Sequence, residues 1–157
     1  MDSEVSILLN RAENELLLAR SLDRLSWDDR EASAFQLPKG TTFYSGVISH
    51  CYYAIFYCAK AYLLSKGIKL KSKQGQHQQV YFEFKKLVRE GIIEKEILRI
   101  YEELKIKAES LLEILSTEKE KRKTFTYETI SQANKQPAED SIKNAISFIS
   151  HIRRMIS

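Results

Sequence analysis

The stretch SHCYYAIFYCAKAYLLSKG, from Ser49 to Gly67, constrains the fold more than any other part of this chain. Small side chains recur along it at steps of four and three, which places them in one stripe of an α-helix. A stripe of small side chains lets a neighbouring helix approach closely. Bulky residues flank the stripe on both sides, so the pattern predicts a helix buried in the middle of a bundle. The small residues recur at steps of four and three from just before the stretch: Val47, Cys51, Ala54, Cys58, Ala61 and Ser65.

The same stretch is a poor candidate for a membrane-spanning helix. A spanning helix needs ~20 consecutive, predominantly apolar residues, whereas this run contains Ser49, His50, Lys60 and several tyrosine hydroxyls. We therefore expect no membrane association.

The bulky residues that flank the small-residue stripe are Ile48, Tyr52, Ile55, Phe56, Tyr62 and Leu63 on one side and His50, Tyr53, Tyr57 and Leu64 on the other.

Helical spacing dominates the rest of the chain as well. Five glycines and two prolines in 157 residues leave little room for strands and turns. Long helices are predicted near residues 4–26, 42–66, 94–118 and after Pro137, with a short helix around Val80, Phe84 and Leu87. Asp28 to Thr42 is interpreted as a polar connection. The predicted fold class is all-α, an up-and-down bundle of four long helices plus one short helix, in a single domain over residues 1–157.

The composition is typical of a cytoplasmic protein. The first four residues include the acidic Asp2 and Glu4, and the apolar run after them is too short for a secretory signal, so we expect none. Cys51 and Cys58 are seven residues apart on one predicted helix, or ~10 Å along its axis, which is too far for a disulfide. We interpret them as small buried residues, and we expect neither a metal nor a cofactor.

The excess positive charge is concentrated in two clusters. The formal net charge is +4, and basic clusters are typical either of a phosphate-rich partner or of a solvated turn. Both interpretations stay open. One cluster consists of Lys66, Lys69, Lys71 and Lys73, and the other of Lys119, Lys121, Arg122 and Lys123.

The sequence contains no nucleotide-binding glycine loop, metalloprotease motif or serine-hydrolase motif. Its three histidines are far apart along the chain. His50 is predicted to be a hydrogen-bonded core histidine, and His151 to be solvated. His77 precedes a short amphipathic helix and is either a helix cap or a site residue.

The central string resembles a known family. Tyr52 to Phe56 followed by Ala59 to Gly67 is similar to the YYAxF…AAKALLxxKG signature of small prokaryotic HEPN-domain proteins. His77 with the apolar positions after it resembles that group's short-helix motif. Arg122, then four intervening residues and Tyr127, resembles its R…DY segment. The likeness extends over about residues 45–156.

This resemblance implies a five-helix bundle that is often dimeric and often acts with a minimal nucleotidyltransferase partner in toxin–antitoxin modules. Active relatives cut RNA without a metal, through an arginine followed four to six residues later by a histidine. Tyr127 stands where that histidine would be, and the unperturbed pKa of a tyrosine, about 10, makes it a poor base at pH 7. The absence of the arginine-to-histidine pattern therefore favours binding over cleavage.

Three hypotheses follow. The first is a weakly or non-catalytic nucleotide- or RNA-binding component of such a module, and it is homodimeric. Tyr127 lines its binding groove, and the residues on the ligand are His77, Arg122 and the neighbouring Lys119, Lys121 and Lys123. The second is a metal-independent endoribonuclease with Arg122 as phosphate clamp and Tyr127 or His77 replacing the histidine. The third is a helical protein-interaction scaffold.

Overall fold

The computed structural model of this chain describes residues 1–120 and 135–157, with side chains up to Leu111 and again from Lys135. Within these ranges the secondary structure is entirely helical, which confirms the predicted all-α bundle. The helices are α1 (Ser3–Trp27), α2 (Asp29–Ala34), α3 (Tyr44–Ser65), α4 (Gln76–Arg89), α5 (Lys95–Glu120) and α6 (Lys135–Ile156).

Helix α2 lies within the segment that the sequence analysis interpreted as a plain connection. The Asp28 side chain explains it, because Oδ1 accepts hydrogen bonds from the backbone N–H groups of Arg30 and Glu31 at 3.0 and 3.3 Å. An aspartate that caps two free N–H groups in this way starts a helix. The described part of the chain therefore contains four long helices, the short α4 and this additional six-residue helix.

Helix α3 is the centre of the bundle, and it packs against α1, α4, α5 and α6. Its small-residue stripe is fully buried from Val47 to Ala61, as predicted, while Ser65 at the helix end is exposed. The helices do approach closely: a Cβ on Gly46 would stand 3.3 Å from Cδ1 of Leu22 on α1. Small side chains on α3 are thus required by the packing of its neighbours.

The two flanks of α3 differ in their surroundings. The flank with Ile55 and Phe56 is buried in the core, whereas Tyr53 is 40% exposed and Leu64 is half-buried. The prediction of a helix buried on almost every side is therefore wrong for one stripe. Helix α1 packs along one edge of this stripe and α4 begins at the other edge. Neither helix covers the stripe itself, so it stays open.

Three aromatic rings hold the short helix in place. Phe84 of α4 packs against Tyr101 of α5 and Phe148 of α6, with ring centroids 5.6 Å apart in both pairs, and the last two rings lie 5.9 Å from each other. All three are fully buried. This cluster fixes α4 against the rest of the bundle and so positions its first residues beside α3.

Helix α5 buries one seam at steps of four and three, made of Ile97, Tyr101, Leu104, Ala108 and Leu111. In α6 Phe148 is fully buried, whereas Ile146 is 39% exposed. None of the described helices is both long and apolar enough to span a membrane.

Candidate functional site

The open stripe of α3 is flanked by side chains of α1 on one side and of α4 on the other. From α1, the guanidinium of Arg11 stands 5.3 Å from the centre of the Tyr57 ring. From α4, Oε1 of Gln76 accepts a 2.9 Å hydrogen bond from Nζ of Lys60. We call this surface the α3 groove, and define it by His50, Tyr53, Tyr57 and Lys60 on α3, Arg11 and Glu15 on α1, and Gln76 and His77 on α4.

His77 is built into this groove by aromatic contacts. Its ring stacks on Phe56 with centroids 3.8 Å apart and an angle of 11° between the planes. Its Nδ1 lies 2.9 Å from the hydroxyl of Tyr52, and its ring meets Tyr53 edge-on at 5.9 Å. Gly75 is the N-cap of α4, so the alternative that His77 caps the helix is wrong.

The protonation of this pair follows from its burial. Burial lowers the pKa of His77, and the ammonium group of Lys60 lowers it further, so the imidazole is neutral at pH 7. Burial, with a smaller contribution from Glu109, raises the pKa of Tyr52 to about 12, so the phenol keeps its proton. A phenol is a better donor than a neutral imidazole, and we assign the bond as Tyr52 O–H to His77 Nδ1. That tautomer leaves Nε2–H of His77 as a donor.

The second histidine of the groove is held by a buried carboxylate. Glu15 is only 7% exposed, and its Oε2 lies 2.6 Å from Nδ1 of His50. Its Oε1 accepts from Nε and Nη2 of Arg11 at 3.1 and 3.0 Å. Nδ1–H of His50 donates to Oε2 of this carboxylate, which leaves Nε2 outside the bond. The predicted hydrogen bond is confirmed, although the side chain is 30% exposed and lies at the groove, not in the core.

Together these contacts leave one aromatic ring accessible between two fixed histidines. The centroid of Tyr53 lies 6.3 Å from His50 and 5.9 Å from His77 and from Tyr52. An accessible ring of this kind stacks on a planar ligand. The cations of Arg11 and Lys60 lie on the same surface and suit an anionic group.

The structure places only part of the predicted site. His77 lies in the α3 groove. Lys121, Arg122, Lys123 and Tyr127 lie outside the described residues, and Lys119 belongs to α5 with its side chain outside them. Among the described residues there is no group of three or more histidine, cysteine or acidic side chains that could hold a metal ion.

The sequence analysis missed the residues that line the groove from α1. Glu15 lies three residues after the buried Ala12 and four before the buried Ala19, so it occupies a core-facing position of the helix. A charged residue at such a position is rarely buried without a partner. A glutamate at this core-facing position was therefore the sequence signal for a buried partner, and the structure shows that the partner is His50.

The lowered pKa of His77 predicts a pH-dependent stability. The folded protein disfavours the imidazolium, so this contribution is complete above the unfolded histidine pKa, about 6.5, and is lost as pH falls below it. We expect the urea unfolding midpoint to fall between pH 7.5 and 5.5 by more in the wild type than in His77→Gln. Parallel curves for the two proteins would contradict the assigned environment of His77.

Comparison with known proteins identifies the family of this chain. The model of the HEPN domain matches residues 19–155, most of the 157 residues. No curated protein matches the chain, and neither does any solved structure. The match includes α3, α4 and α6, which carry the signature string, His77 and the last helix of the bundle. The chain therefore belongs to the HEPN-domain family.

Proposed function

We propose that this protein binds a nucleotide or single-stranded RNA as one component of a two-protein prokaryotic module, with weak or no catalytic activity. The observation that carries the proposal is the 40% exposed ring of Tyr53, held between His50 and His77 on one open surface. Membership of the HEPN family supports a nucleotide- or RNA-directed function in general terms.

The groove has the two kinds of group that such ligands need. Stacking of a base on an aromatic side chain is tolerant of sequence, because every base has a π-face. Arg11 and Lys60 supply the charge for phosphate, and Arg11 is held in place by Glu15. His50 and His77 each present a second ring nitrogen at a fixed position, which suits the polar edge of a base.

The partners of the module are part of the same proposal. We infer a homodimer and a minimal nucleotidyltransferase partner from the family resemblance, together with a cytoplasmic location. Lys119, Lys121, Arg122 and Lys123 are proposed to add phosphate contacts. Co-expression with the product of the adjacent gene, followed by intact mass measurement, tests the partner. A stable complex or an added nucleotide mass on this chain would support it. The absence of both would contradict it.

The second candidate function is a metal-independent endoribonuclease with Arg122 as phosphate clamp and Tyr127 or His77 as proton acceptor. The lowered pKa of His77 favours this candidate, because a neutral imidazole accepts protons at pH 7. The bond from Tyr52 opposes it, since it occupies the Nδ1 lone pair. We therefore rank binding above cleavage.

Binding of a fluorescent single-stranded RNA, measured by anisotropy, tests the proposal. We expect affinity to fall steeply with salt, because each neutralised phosphate releases counterions. Arg122→Ala should weaken binding by about 1.5–3 kcal/mol, the contribution of one charged hydrogen bond. Lys143→Ala, a change of an exposed residue on α6, is the matched control and should have little effect.

The same samples separate the alternatives. Rapid RNA cleavage that resists EDTA and disappears in Arg122→Ala would establish the endoribonuclease and overturn our ranking. If no RNA binds even at low salt, both nucleic-acid functions are excluded and the protein-interaction scaffold remains.

A further inference from the structure

The α3 groove continues at its Lys60 end into a pocket of about 430 Å³. Lys60 and Gln76, which are hydrogen-bonded to each other, line this pocket as well as the groove. The pocket lies between the start of α1, the end of α3 and the connection from α3 to α4. We call it the lysine pocket, after Lys60, Lys69 and Lys73 in its lining.

The lining combines positive charge with apolar surface. Its three lysines face a single carboxylate, that of Glu4. The lining also includes the apolar side chains of Leu8, Leu64 and Ile68, all three of them half-buried. A volume of this size is within the range of small-molecule sites, ~300–1,000 Å³. The pocket therefore suits a planar, partly apolar group that carries a negative charge.

We propose that the α3 groove and the lysine pocket together bind at least two consecutive nucleotides of a single RNA strand, with one base on Tyr53 and the next nucleotide in the pocket. This inference rests on the proposed function and specifies its ligand. Lys60 lies between the two positions, where it contacts the linking phosphate. Lys69 and Lys73 are the cations at the second nucleotide.

The length of the surface supports a strand over a mononucleotide. Tyr53 and Leu64 are eleven residues apart on α3, which is ~16 Å along the helix axis. A nucleoside monophosphate with its base on Tyr53 does not extend that far. A polyphosphate chain would reach the pocket, but it would leave the apolar side chains of Leu8, Leu64 and Ile68 uncovered, whereas a second base covers them.

Isothermal titration with AMP, ADP and the 5′-phosphorylated diadenylate pApA tests this inference. ADP and pApA carry the same net charge, so they differ in the second base and not in overall electrostatics. We expect pApA to bind at least tenfold more tightly than AMP, and ADP to gain much less. Lys69→Ala/Lys73→Ala should remove most of the pApA gain and leave the affinity for AMP unchanged.

The control is Lys39→Ala/Lys143→Ala, which removes two exposed lysines outside both surfaces and should preserve the ratio of pApA to AMP affinity. Equal gains for ADP and pApA, or equal losses in the two double variants, would overturn the inference while leaving the proposed function intact. Failure of AMP, pApA and longer single-stranded RNA to bind at low salt would remove the proposed function itself, and the inference with it.

Discussion

Phe84→Ala is expected to lower the free energy of unfolding by about 3–5 kcal/mol, the range measured for truncating a buried phenylalanine. Phe84 is fully buried against Tyr101 and Phe148, so the change leaves a cavity where α4, α5 and α6 meet. A native domain is stable by only ~5–15 kcal/mol, and the loss is a large share of that. Urea unfolding followed by circular dichroism measures it.

Phe82→Ala is the matched control, because Phe82 lies on the same helix and is 54% exposed. Its effect should stay within about 0.5 kcal/mol, as for most surface substitutions. Equal losses in the two variants would mean that the aromatic cluster is not what holds α4 in the bundle.

Tyr53→Ala is expected to weaken RNA binding by about 1–3 kcal/mol, the contribution of one base stacked on an aromatic side chain. At 1.4 kcal/mol per factor of ten, this is roughly 5- to 140-fold in the dissociation constant. Tyr53→Phe should change affinity little, because the ring is retained. Anisotropy titrations at one fixed salt concentration measure both variants.

Two controls separate stacking from other effects. Phe35→Ala removes another accessible ring, 70% exposed at the end of α2, and should leave RNA affinity unchanged. Circular dichroism of Tyr53→Ala should match the wild type, since the side chain is partly exposed. If Tyr53→Ala binds RNA as well as the wild type does, the α3 groove is not the binding surface.

The fold was predictable because its signal is periodic and local. The spacing of Cys51, Ala54 and Cys58 identifies a buried helical stripe without reference to any other part of the chain. The same argument failed for Tyr53, whose exposure depends on where α1 ends its contact with α3 and where α4 begins. Periodicity identifies a face of a helix, and only tertiary packing decides whether another helix covers it.

The candidate site was less predictable, because it is assembled from distant segments. His77 meets Tyr52 across 25 positions of sequence, and Glu15 meets His50 across 35. The conformation of the connection between α3 and α4 sets the first pairing, and loop conformation has no periodic signal. The family resemblance pointed to His77 as a candidate, since it supplied a motif where spacing gave none.

The position of Arg11 and Glu15 has a practical consequence for choosing where to cut the chain in recombinant work. Both precede residue 19, at which the family match begins. A protein trimmed to the matched range would lose the buried side chains of Val5, Leu9 and Ala12, and with them the carboxylate that orients His50. We expect such a truncated protein to be poorly soluble and inactive in RNA binding, so expression boundaries here should follow helix packing and not sequence similarity.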